Sequence, residues 1–107
     1  MRLFWLGVAY LSLASCDRAA GVTVTNNADS DVVNLTVLIA SEKFHKDKLE
    51  PGARATFRHH PRGDGVIDVS YMIGGRPVSE RFGYVTRNSQ TRYRVSIGRT
   101  GMRIDLD

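Results

Sequence analysis

The residues able to do chemistry are few and spread along the chain. Histidines stand at 45, 59 and 60, the single cysteine at 16, and arginines crowd the stretch from 81 to 94. A zinc site needs three or four ligands, each oriented by further hydrogen bonds. Adjacent His59 and His60 point to opposite faces if the strand before them continues, so they cannot share one ion without a bend. His45 or Asp64 would join them only by a long-range coincidence. Exposed turn histidines, no metal and no cofactor are therefore expected, with metal handling through His59 and His60 the competing reading. Serines at 30, 41, 70, 79, 89 and 96 lie in no Gly-x-Ser-x-Gly setting. Asp105 and Asp107 have the spacing of a carboxylate pair but sit at what reads as a solvated strand end. Gly63-Asp64-Gly65 has too few oxygen ligands for a calcium loop and reads as a turn. No enzymatic activity is expected.

What remains is a surface. Arg81, Arg87, Arg92 and Arg94 fall within 14 residues, and a period of two puts Arg92 and Arg94 on one strand face. If Arg81 and Arg87 lie beside them across a hairpin, they make a cationic patch for phospholipid headgroups, lipopolysaccharide phosphates or an acidic partner, with Tyr84 as the aromatic anchor if exposed. The net charge is only +4, from 15 Lys and Arg against 11 Asp and Glu. Aspartates are scattered among the bases, which argues against a nucleic-acid interface.

The elements that must carry this surface are strands. Val22 and Val24 alternate with Thr23 and Thr25, and Val33, Leu35, Val37 and Ile39 alternate with Asn34, Thr36 and Leu38. Ala53, Ala55 and Phe57 follow the same rule, as do Ile67, Val69, Tyr71 and Ile73, then Tyr93, Val95 and Ile97, then Met102, Ile104 and Leu106. One apolar and one polar face per segment means antiparallel sheets wet on one side. Residues 43–49 read as a short edge strand or a loop, where Lys46 and Lys48 would discourage pairing with neighbours. Turn formers separate the runs at Asn26-Asn27, Glu50-Pro51-Gly52, Gly74-Gly75 and Gly98-Arg99-Thr100-Gly101. Seven or eight short strands fit an all-β two-sheet sandwich of immunoglobulin or fibronectin type III character, with a small closed β-barrel as the alternative. The immunoglobulin disulfide and buried strand tryptophan have no counterpart here.

The first residues break the alternation. Met1-Arg2 precedes an uninterrupted apolar run from Leu3 to Ala14. Twelve helical residues span about 18 Å, too short for the roughly 30 Å hydrocarbon layer, and a basic start, an apolar run and small residues mark a secretory signal peptide. The run ends in Leu13-Ala14-Ser15-Cys16, which resembles the lipobox of bacterial lipoproteins. That resemblance covers 16 residues and implies cleavage before Cys16, a diacylglyceryl group on its sulfur, and attachment at the periplasmic face of the inner or outer membrane. It divides the chain into a signal peptide (1–15), a lipidated cysteine with a short tether (16–21) and one sandwich domain (22–107). The expected role is a non-enzymatic binding or assembly module of the cell envelope with a membrane anchor and an envelope protein as partner. Direct binding of anionic lipid or lipopolysaccharide is the runner-up.

Overall fold

β-Branched and aromatic residues at every second position favour an extended backbone, which hides one apolar face and leaves the other wet. The computed structural model, which describes residues 20–59, 63–86 and 90–107, forms eight such strands and no helix among them. They are β1 (Ala20–Asn26), β2 (Val32–Ile39), β3 (Glu42–Leu49), β4 (Arg54–His59), β5 (Gly65–Ile73), β6 (Arg76–Val85), β7 (Arg92–Gly98) and β8 (Gly101–Leu106). One sheet has the order β4-β1-β7-β8 and the other β3-β2-β5-β6, so the chain is a two-sheet sandwich and the barrel alternative falls. Each pairing is antiparallel except that of β1 with β7, which run parallel. In immunoglobulin domains the first two strands are sheet neighbours; here β1 and β2 lie in opposite sheets, so the likeness is one of architecture.

Between the sheets lie Val22, Val24, Val95 and Ile97 from the β1 sheet, facing Leu35, Val37, Ile39, Ile67, Val69 and Tyr71 from the β2 sheet, all buried. Burying each of the larger aliphatic side chains contributes about 1.5–3 kcal/mol, which makes this layer the main source of stability.

Three departures from the alternation have local causes. The apolar face of β2 is Val32, Leu35, Val37 and Ile39, not Val33, because Asn34 takes a left-handed φ of 53° where the pairing with β5 slips its register. The β2–β3 hairpin turns on Ala40 and Ser41, both at positive φ (49° and 77°), without the glycine or asparagine that usually takes up such a backbone. Ala40 is held there by a hydrogen bond from its N–H to the Val66 carbonyl and by close contact with Gly65, where an added Cβ would stand 2.7 Å from Ala40 Cα. Leu106 is 66% exposed, since β8 is an edge strand with little above it. Residues 43–49 do form an edge strand, and its lysines are exposed.

Candidate binding surface on the β1 sheet

The period of two that sends Phe57, Tyr93 and Val95 inward sends Arg54, Thr56 and Arg58 of β4 and Arg92, Arg94 and Ser96 of β7 outward. Between these strands runs β1, whose outward residues are Gly21, Thr23 and Thr25. Register aligns them in rows: Arg58, Gly21 and Arg92 in the first, and Thr56, Thr23, Arg94 and Asp105 in the second. The third row is Arg54, Thr25, Ser96 and Arg103. Asp107 extends the first row, its N–H bonded to the Arg92 carbonyl at 2.8 Å. The outer face of this sheet therefore carries five arginines against Asp105 and Asp107, with no lysine and no glutamate.

Gly21 leaves a gap in the first row. The notch, about 150 Å³, is lined by Gly21, Thr23, Thr56, Arg58, Arg92 and Asp107. A side chain there would crowd the β4 backbone, since a Cβ on Gly21 would stand 3.0 Å from the Phe57 carbonyl oxygen. Thr23 and Thr56 share a hydroxyl hydrogen bond at 3.1 Å. Around the rim, Arg94 Nε lies 3.5 Å from Asp107 Oδ1 and Arg103 Nε 3.4 Å from Asp105 Oδ2. Arg58 and Arg92 are also engaged within the fold. The Arg94 and Arg103 pairs are exposed and contribute little to stability.

Arg92 and Arg94 share this face, as their spacing requires. Arg81 does not join them. It lies on β6 in the other sheet, its Nε donating to Asp68 Oδ1 at 2.8 Å, and this hydrogen bond together with the Asp68 charge raises the guanidinium pKa further. The chain crosses between sheets from β6 to β7 instead of turning back in a hairpin. Phe82 and Tyr93 meet edge to face between the sheets, with ring centroids 5.3 Å apart, and their neighbours Arg81 and Arg92 point to opposite sides of the sandwich. Tyr84 is 55% exposed, on β6 with Arg81 and away from Arg92 and Arg94. Arg87, His60 and Cys16 lie outside the described residues.

His59 is not an exposed turn residue. It is 4% exposed because it continues the inward series of Ala55 and Phe57, and its Nδ1 is hydrogen-bonded to Glu42 Oε1 across the open side between β4 and β3. His45 sits on β3 and contacts Asp47 at 2.9 Å and Thr36 at 3.3 Å. Among the described residues no group of three or more potential ligands is placed to hold a metal ion.

No local signal in the sequence singles out Arg54, Arg58 or Gly21. Their outward phase is readable, but nothing local says that β1 is flanked by β4 on one side and β7 on the other.

Neither a family model nor a curated protein matches the chain. Among solved structures it is similar to a protein from Eubacterium rectale determined by NMR, at 13% identity and a TM-score of 0.59, covering 84% of this chain and 89% of that one. At that identity the similarity is one of fold.

Proposed function

We propose that this chain is a lipid-anchored protein of the bacterial cell envelope whose sandwich acts as a non-enzymatic binding module. The reading is carried by Leu13-Ala14-Ser15-Cys16 at the end of an apolar leader-like run. The fold is compatible with such an anchor. β1 begins at Ala20, four positions past Cys16, and four extended residues reach about 14 Å at most. Two or three acyl chains hold a protein stably at a bilayer, so the sandwich would work within a short distance of the lipid surface. Its mechanism is recognition: the two sheets give a rigid frame, and an outward face or a strand edge meets the partner.

The arginine-rich face of the β1 sheet favours a second reading, direct contact with anionic lipid, because five guanidinium groups on one sheet face are suited to phosphate oxygens. The first reading is tested by mass spectrometry of the protein expressed in a bacterial host. Cleavage before Cys16 with a diacylglyceryl mass on that residue is expected, and Cys16→Ser should accumulate uncleaved. An unmodified Cys16 in the accumulated protein overturns it.

A further inference from the structure

We infer that the Gly21 notch is a binding site for a phosphate group, gripped between Arg58 and Arg92. Adjacent strands lie about 4.8 Å apart, so these two residues, on either side of β1, start from Cα positions roughly 10 Å apart. Two arginine side chains leaning inward across that gap converge on one tetrahedral anion. Gly21, having no side chain, lets the anion descend to the sheet surface between them.

Four features suit phosphate in particular. Both cations are arginines, whose planar forks bond two phosphate oxygens at once. Both are engaged within the fold, and a guanidinium with five N–H donors can keep such a partner while it bonds a ligand. In the Thr23–Thr56 pair one hydroxyl donates to the other, and the accepting hydroxyl keeps its own hydrogen to offer to the notch. Asp107 lines the same notch and pairs with Arg94 beside it, so its carboxylate is the opposing charge that an incoming anion must overcome.

Position suggests the source. Gly21 is five residues past Cys16, about 18 Å when extended, so with the anchor proposed above the notch opens close to the headgroup layer. The phosphate of an anionic phospholipid is then the natural occupant, and a soluble phosphate ester is the other source of the same chemistry. Only this choice of source rests on the anchor; the site itself does not.

The test follows the amide signals of Gly21 and Thr23 by NMR in the full chain held in maltoside micelles, which contain no phosphate. One arm adds inorganic phosphate and the other dopes the micelles with phosphatidylglycerol. A saturable shift is expected in at least one arm. Arg58→Gln with Arg92→Gln should weaken it by about tenfold or more, which is at least what one charge-assisted hydrogen bond is worth, and Asp107→Asn, which removes an opposing charge, should tighten it several-fold. Saturation by phosphatidylglycerol assigns the site to lipid, and saturation by inorganic phosphate alone assigns it to a soluble ester. No saturable shift in either arm overturns the proposal. So does unchanged affinity in the double variant, or Asp107→Asn binding no tighter than the parent. The gain expected of Asp107→Asn cannot be mimicked by unfolding. Failure of the anchor would show instead in the mass of Cys16 and would leave these titrations as they are.

Discussion

Asn26 is the fully buried polar residue on which both sheets depend. Its Nδ2 donates to the carbonyls of Ser30 and Leu49, each at 2.8 Å, and its Oδ1 accepts from Ala28 N–H at 2.9 Å. One amide thereby ties the end of β1, the turn after it and the end of β3. Three such bonds at about 1 kcal/mol each, with buried carbonyls left unpaired when the amide is removed, give a loss of about 3–4 kcal/mol for Asn26→Ala. Since a domain this size has about 5–15 kcal/mol in all, that is a drop in Tm of roughly 15–25 °C. Asn26→Asp separates volume from hydrogen bonding. It keeps the shape but turns a second oxygen toward two carbonyl oxygens, so at pH 7 it should be worse than alanine. Protonation restores one donor. The fold therefore favours the protonated form and raises the pKa of this carboxyl above the unfolded value of about 3.9; its deficit is smallest below that pH and grows as pH rises through the folded value. Urea unfolding followed by circular dichroism at pH 4 and pH 7 measures both effects. An alanine variant within about 1 kcal/mol of the parent, or an aspartate variant as stable as the parent at pH 7, refutes the reasoning.

The β2–β3 hairpin gives two substitutions of opposite sign. Gly65→Ala drives a methyl group against the Ala40 backbone and should cost at least about 2 kcal/mol, whereas Ser41→Gly relieves a positive φ and should gain about 0.5–1 kcal/mol in the same urea assay. Tyr71 buries a hydroxyl that has no hydrogen-bond partner among the described residues, so Tyr71→Phe should stabilise by about 1 kcal/mol. Burial raises the Tyr71 pKa, the Arg76 charge works against this and Glu80 with it. A raised phenol pKa contributes stability that is intact below about pH 10 and lost above it, so the parent should weaken in alkali more steeply than Tyr71→Phe, as melting at pH 9 and pH 11 would reveal. Leu35→Ala, at the centre of the core, should cost about 2–5 kcal/mol by equilibrium unfolding.

What was legible in the sequence was whatever depends on near neighbours. Alternation gave the inward faces of β5 and β7 residue by residue, and Glu50-Pro51-Gly52 forms its turn, with Gly52 at φ 84° and Ala53 N–H bonded to the Glu50 carbonyl. The Asx turn at Asn26 was readable too, but not the bond from the same side chain to Leu49, 23 positions away. The hairpin at Ala40 and Ser41 carried no glycine or asparagine to announce it, because its unusual backbone is enforced by Val66 and Gly65 from another strand. Sheet membership failed for a related reason. A strand's outward residues follow from its own period, whereas which strands lie side by side depends on the whole chain, so closeness in sequence suggests one patch for Arg81 and Arg92 although β6 and β7 belong to different sheets.

The parallel pairing of β1 with β7 also governs the order in which the molecule can be assembled. β2 with β3 and β5 with β6 are sequence-adjacent hairpins, so most of one layer can form from local contacts as the polypeptide emerges. β1 must wait for partners about 35 and 70 residues downstream, with one edge open until β4 arrives and the other until β7 does. Completion of its sheet should therefore be the slow event, and a chain cut short before β7 should be left with an unsatisfied, aggregation-prone first strand.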